Sequence, residues 1–325
     1  MTSIISSIGS YTPEETLSNR YFEQIVETSD EWIVKRTGIK TRRRANNETT
    51  VSMAKKAVIN LRTRYNISLT DIDFIIFTSS TPEHKIPSLA SQLQYELKIK
   101  NAGTFDLTAA CAGFVYALIM AQSLINSYLC KKILVVASEI LTRHTDYTDR
   151  STCILFGDGA SAVILESSPV NKIYKPVFGT EGQFGHVLYL NHYLTEMNGI
   201  PVNNNNKIIQ DGKKVYKWAV ATMCEKLDEI LQKNDMTIND IDFFIPHSAN
   251  LRIIESICDQ TGIEKTKTLN SVINYGNTSA ASIPLALDKA IGENIINKQS
   301  TLLLMGFGGG LTYAGTIIDF NNIQI

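Results

Sequence analysis

The sequence predicts an α/β protein in layers, built from two pseudo-symmetric halves, and two observations carry that expectation. First, "ISLTDIDFIIFTSS" (67–80) and "MTINDIDFFIPHSA" (236–249) share the core DIDFxI at an offset of 169 residues, close to half of the 325-residue chain. Second, each copy stands in the same run of patterns: an amphipathic helix before it, a small-residue helix after it, an apolar strand beyond. Strands alternating with helices bury their apolar faces by stacking in layers. A composition 44% hydrophobic and 19% charged supplies a large core.

Taken in order, "VSMAKKAVINLRTRY" (51–65) and "VYKWAVATMCEKLDEILQKN" (215–234) place apolar residues three and four apart, the spacing of a helix with one buried face. Each leads through a short Asx-rich turn into the DIDFxI strand. "TAACAGFVYALIMAQSLI" (108–125) and "GNTSAASIPLALDKAI" (276–291) predict the next helices, and "KKILVVAS" (131–138) and "STLLLMGF" (300–307) the following strands. "ESSPVNK" (166–172) lies near the join, giving an N-terminal half at 1–168 and a C-terminal half at 169–325.

Thirty-one basic and 32 acidic residues give a formal charge of −1, so no global field draws the chain to nucleic acid or anionic lipid. The first 24 residues lack a signal peptide's basic start and apolar run, and no apolar stretch is long enough to span a bilayer. The expectation is a cytoplasmic protein away from membranes. The five cysteines, Cys111, Cys130, Cys153, Cys224 and Cys258, form no CxxC pair and no zinc spacing with histidine, which speaks against disulfides and a structural metal.

Cys111 sits in "DLTAACAGFVYAL", where strand gives way to helix. A cysteine among Ala and Gly is commonly a small buried hydrophobe. A helix N-terminus, by contrast, lowers a thiol pKa and favours thiolate. From position alone both readings stand. The other four cysteines lie in helical or strand patterns without such a frame. His247 ends a buried strand in "FFIPHSANLRI", a place that faces a cleft in many α/β proteins, whereas His84, His144, His186 and His192 read as solvated. Asn277 in "INYGNTSAASIP" reads by itself as a helix N-cap.

Together, "TAACAGF", "PHSAN", "YGNTSAAS", "FGDGASAVI" (156–164) and "GFGGGLTYAG" (306–315) resemble the 3-oxoacyl-acyl carrier protein synthase III family, and the match runs in the family's order from "SDEWIVKRTGI" (29–39) to the glycine-rich C-terminal strand. The resemblance implies a thiolase-like fold with five αβαβα layers and a cytoplasmic homodimer. It also implies condensation of an acyl-CoA primer with malonyl-acyl carrier protein, without metal or prosthetic group. By the same resemblance Cys111, His247 and Asn277 are catalytic, and the backbone N–H groups of Cys111 and Gly309 form an oxyanion hole. Trp32, Arg36, Arg150, Gly212, Tyr216 and Asn250 would bind CoA. Arg252 would meet the carrier protein, and Ile86 would border the acyl pocket across the dimer, where a bulky aromatic marks acetyl-selective members.

Two features depart from the family's usual pattern. The segment "MNGIPVNNNNKIIQDGKKVYKW" (197–218) is long at the lip of the substrate entrance, and "PHSAN" stands for the more frequent Pro-His-Gln-Ala-Asn. Both resemble the second synthase III paralogue of Gram-positive bacteria that make branched-chain fatty acids. The basic run Lys40, Arg42, Arg43 and Arg44 reads as a solvated turn, with a carrier-protein docking patch as the alternative. A papain-like hydrolase is disfavoured by the missing local cysteine signature, and a thiolase by the absence of cysteine from 259 to 325. Chalcone-type and hydroxymethylglutaryl-type synthases share Cys and His but are disfavoured by the "YGNTSAAS" and "PHSAN" pairing. The runner-up is a specialised-metabolite acyltransferase on the same scaffold; a catalytically dead binding paralogue ranks below it.

Overall fold

The computed structural model describes residues 2–170, 172–296 and 299–320. Five strands form the first sheet, in the order Thr2–Tyr11, Asp158–Ser168, Lys132–Ile140, Phe74–Thr78, Gly103–Leu107. The second sheet runs Thr312–Phe320 between Val177–Thr180 and Ser300–Gly308, with Phe243–Pro246 beyond. Their strand orders correspond. Phe74–Thr78 pairs in parallel with Lys132–Ile140, as Phe243–Pro246 does with Ser300–Gly308. The outermost strand of the first sheet is matched in the second by a single parallel bridge, Phe244 to Thr268.

Period-two alternation along these strands builds the layers. Ile75, Phe77, Leu134 and Val136 face one way and pack with Val51, Ala54, Val58 and Leu61 of helix Thr50–Tyr65. Their neighbours Ile76, Ile133 and Val135 face the other way, onto Phe114, Val115 and Leu118 of helix Gly113–Asn126 and Ile283 and Leu287 of helix Ser282–Gly292. Those two helices also meet Leu302 and Leu304 of the second sheet. Leu303, Met305 and Ile317, on its far face, pack with Met223 and Leu227 of helix Gly212–Lys233 and Ile253 and Ile257 of helix Leu251–Thr261. The result is five layers, αβαβα. Each fully buried Leu, Ile or Phe in the central helices contributes about 1.5–3 kcal/mol, so these helices are fixed from both sides.

Several expectations need correction here. Arg42 is not solvated: strand Thr41–Arg43 carries it inward, where it is fully buried over the Phe22 ring and donates to the Ile154 carbonyl and the Asn19 side chain. Burial pulls its guanidinium down to about 9, still charged at neutral pH. Arg44 is paired with Glu15, and Arg43 donates to the Pro13 and Glu14 carbonyls, so Lys40 alone of the four is exposed. His144 is likewise buried, its Nδ1 against the Asn206 carbonyl at 3.2 Å. Cys130 and Cys153 lie in connecting segments rather than in a helix or strand. No helix among the described residues is long and apolar enough to cross a membrane.

Candidate active site

Cys111 follows the first strand layer through a tight turn. The strand Gly103–Leu107 ends, Ala110–Ala112 forms a single 3-10 turn, and the central helix starts only at Gly113. The glycine-rich strand end backs this turn closely. A Cβ on Gly308 would stand 2.7 Å from the Cys111 nitrogen, and one on Gly306 would stand 2.8 Å from the Ala112 Cα. Glycine is required at both positions because backbone meets backbone there.

Position alone left a buried thiol and a thiolate both open for Cys111, and at rest the group is the thiol. Burial pushes the Cys111 thiol up to about 12, with a hydrogen bond from Ser279 pulling the other way. The 3-10 turn runs directly into the helix Gly113–Asn126, whose N-terminal dipole favours the anion, but desolvation of the anion outweighs it.

His247 stands immediately after strand Phe243–Pro246, its backbone N–H held by the Met305 carbonyl at 2.8 Å. Nδ1 lies 2.7 Å from Ser282 Oγ, and the ring meets Phe307 edge-on at 5.1 Å. Burial pulls the imidazole down to about 3, so it is neutral at physiological pH. Asn277 is not the N-cap expected of it: Thr278 holds that place before the Ser279–Ala281 3-10 turn, and Asn277, one residue earlier, makes an Asx turn in which its Oδ1 accepts the Ser279 N–H at 2.9 Å. That contact fixes the amide and leaves the NH₂ group as the available donor. Asn250 does cap, accepting the Ile253 N–H at 3.0 Å at the start of its helix.

Cys111, His247, Asn277, Asn250 and Gly309 line one cavity of ≈ 280 Å³, mostly apolar, walled by Leu155, Phe156, Leu188 and Phe307. A wider cavity of ≈ 810 Å³ abuts it, sharing Leu155, Gln210, Asn250 and Ile253. Trp32, Arg36, Arg150, Gly212, Tyr216 and Arg252 all line this outer space. Ser29 caps the helix that carries Trp32, and the Arg150 guanidinium lies 4.4 Å from the Trp32 ring centroid. Arg252, expected to meet the carrier protein, is exposed at the mouth and sits 5.9 Å over the Tyr216 ring. Ile86 lines neither cavity of its own chain and is 89% exposed.

The long 197–212 segment folds into structure. Glu196–Met197 pairs with Ile200–Pro201, and Ile208–Gln210 pairs with Leu188–Leu190, placing Ile208 and Gln210 in the cavity wall. Ser248 of "PHSAN" turns its hydroxyl away to accept the Ser271 N–H at 3.0 Å. Sequence reasoning missed Ser279, which lines the inner cavity, and Ser282, which holds the His247 ring. Among the described residues no group of His, Cys, Asp and Glu could hold a metal ion.

The chain matches the family model described as 3-oxoacyl-[acyl-carrier-protein (ACP)] synthase III over residues 105–182, and that of its C-terminal region over 231–320. It is 49% identical over 316 residues to beta-ketoacyl-[acyl-carrier-protein] synthase III 2 of Staphylococcus epidermidis, covering 97% of each chain. Among solved structures it resembles 3-oxoacyl-[acyl-carrier-protein] synthase III from Aquifex aeolicus, with TM-score 0.92, 38% identity, 98% of this chain and 100% of the other. It also resembles the priming beta-ketosynthase of the R1128 polyketide pathway, with TM-score 0.91, 34% identity, and 99% and 97% covered.

Proposed function

The chain belongs to the 3-oxoacyl-[acyl-carrier-protein] synthase III family, and from that premise we propose which residue performs each step. The protein is a condensing acyltransferase with a thiolase-like fold that joins an acyl-CoA primer to malonyl-acyl carrier protein, starting fatty acid synthesis. Its two halves divide the labour, the N-terminal one (1–168) giving the nucleophile and the C-terminal one (169–325) the donors.

The outer cavity takes the nucleotide, with the Trp32 ring and the Arg150 guanidinium parting to hold the purine, and Arg36 and Arg252 facing its phosphates. Pantetheine passes Gly212, Tyr216 and Asn250 into the inner cavity. Cys111 sulfur attacks the thioester carbonyl, the oxyanion rests on the N–H groups of Cys111 and Gly309, and CoA leaves as a thiol. Malonyl carrier protein then loses CO₂, and the electron pair of the broken C–C bond moves into a thioester enolate. Ser282, already accepting the Ser248 N–H at 3.2 Å, donates to His247 Nδ1 and so places the ring proton on Nε2. Nε2–H and the Asn277 NH₂ hold the enolate oxygen. The enolate carbon attacks the acyl group, and Cys111 leaves as thiolate. No metal or prosthetic group is needed.

The observation that carries this reading is the convergence of Cys111, His247 and Asn277, from both halves, on one small cavity opening into a larger one. Intact-protein mass spectrometry after incubation with a panel of acyl-CoAs, then with malonyl-carrier protein, tests it: an acyl adduct on Cys111 that disappears on condensation is expected. No adduct, or one on another cysteine, refutes it.

The working form is a cytoplasmic homodimer, in which Ile86 leaves water by entering the partner's acyl pocket. A branched aliphatic there leaves space that a larger aromatic would fill, so isobutyryl-, isovaleryl- and 2-methylbutyryl-CoA are preferred over acetyl-CoA by a modest factor. Comparison of kcat/KM for acetyl- and isobutyryl-CoA in wild type and Ile86→Phe checks this; acetyl preference in the wild type removes it. The specialised-metabolite reading shares this site and differs in the carrier, so a dedicated carrier protein outcompeting the fatty-acid one as acceptor would favour it.

A further inference from the structure

Ile208 is buried in the wall of the Cys111 cavity, yet the strand that carries it, Ile208–Gln210, pairs only with Leu188–Leu190, in a sheet of two strands. Two paired strands are marginally stable by themselves, so this wall needs further support. The chain between the two strands is an excursion tied at its base. The Asn206 N–H donates to the Asn191 carbonyl at 3.0 Å, and the buried Asn191 side chain accepts the Tyr193 and Leu194 N–H groups and donates to the Asn203 carbonyl at 2.9 Å. Those bonds close the excursion on itself.

Its fastening to the N-terminal half comes at residues 206 and 207. His144 Nδ1 donates to the Asn206 carbonyl at 3.2 Å, and Lys207 Nζ donates to the Arg143 carbonyl at 3.3 Å and to the Thr145 carbonyl at 3.1 Å. The ammonium makes charge-assisted bonds, the stronger part of this clip. The 3-10 turn Leu141–His144 is its fixed member, because Thr142 donates its N–H at 3.0 Å and its hydroxyl at 2.6 Å to the fully buried Asp158. The same turn puts Leu141 in the cavity wall. Leu141 and Ile208, from opposite halves of the chain, therefore line one cavity from the two sides of the clip.

We propose that Lys207 and His144 are positioning residues that hold Ile208 in the cavity wall and so set the size of primer the enzyme accepts. The proposal rests on the reading of Cys111 as the acylated residue, since only then does this cavity hold the primer's acyl chain. Neither Lys207 nor His144 lines the cavity, so both act through the strand. A packed wall selects by refusing volume: with the clip closed, the ≈ 280 Å³ space suits a short or branched chain, and a straight six-carbon chain needs room that Ile208 fills.

Loading of Cys111 from an equimolar excess of isobutyryl- and hexanoyl-CoA, read by intact-protein mass spectrometry, tests the clip, because the ratio of adducts reports selectivity apart from overall rate. The wild type should carry mainly isobutyryl. Lys207→Met should raise the hexanoyl-to-isobutyryl ratio about tenfold, and His144→Leu, which opens the clip from the other side, about threefold. The second variant covers the case in which the first does not fold. Lys207→Arg, which keeps a cation able to donate to both carbonyls, should hold the wild-type ratio. Ile208→Ala should raise the ratio as Lys207→Met does, and joining the two should add less than about twofold, because both act on one wall. An unchanged ratio in Lys207→Met and His144→Leu, even with loading slowed equally for both primers, overturns the clip and leaves the nucleophile reading intact. Full multiplication of the Lys207 and Ile208 effects does the same. Failure of the wild type itself to load Cys111 overturns both.

Discussion

In the N-terminal half, the turn into the central helix carries Ala110 at φ 45° and then Cys111; at the same 169-residue offset, the C-terminal half carries Ser279 at φ 50° and then Ala280. The backbone device is the same, including its rare left-handed residue, and the side chains differ. The strand ends contrast in the same way. Thr78 closes the first DIDFxI strand where His247 follows the second, and Glu139 stands near the end of Lys132–Ile140 where Gly308 ends Ser300–Gly308. A repeated frame delivers equivalent positions to the midline, and the chemistry is divided between them. One half supplies the thiol. The other supplies a neutral imidazole, an amide, and glycines that let the first half's turn approach.

The strongest test of this asymmetry exchanges the thiol. Cys111→Ser should abolish acyl-enzyme formation, since a hydroxyl has almost no alkoxide near neutral pH. Ala280→Cys in that background puts a thiol at the symmetric place, which lines neither cavity, and should not restore it. Mass spectrometry of both proteins reads the result, and an adduct on the introduced thiol would show the halves interchangeable.

The donors should separate from the nucleophile. His247→Ala and Asn277→Ala should each load an acyl group at close to the wild-type rate yet lose condensation about 100-fold or more, because their donors act on the enolate. Parallel loss of loading and condensation would erase the distinction. On preloaded wild-type enzyme, malonyl decarboxylation should show no acidic limb between pH 5 and 6.5. A base whose folded pKa is depressed stays neutral until the pH falls toward that lower value, here about 3.

A gentler intervention acts on the contact between halves. Gly308→Ala places a methyl 2.7 Å from the Cys111 nitrogen, so the cysteine turn must shift and loading should fall about tenfold or more while the fold persists. Stopped-flow CoA release with a circular-dichroism melt separates the two. At the mouth, Trp32→Ala should raise KM for acyl-CoA several-fold with little change in kcat, because stacking there is remote from the bond being formed. A fall in kcat alone would place Trp32 in the chemistry instead.

Legibility of this molecule from its sequence followed the range of the signal. The DIDFxI strands, the helices at 50–65 and 212–233 and the pair of central helices were readable because period 2 and period 3.6 are local properties of a chain with one face to bury. The motifs around Cys111, His247 and Asn277 were readable through resemblance, and the fold brings those three side chains to one cavity. Arg42 and His144 were misread as solvated because nothing in their neighbours by sequence announces the Asn19, Ile154 and Asn206 groups that enclose them. For Cys111 position left thiol and thiolate both open, and the resting group is the thiol, since desolvation depends on what covers the turn, and the cover comes from residues 279 and 306–309 in the other half. Composition and periodicity thus determined the alternation of strands and helices, and motif order the family. Only the packing of one half on the other decided which buried polar groups meet and how far their protons are shifted, because burial and electrostatics are set by long-range contacts that no local window contains.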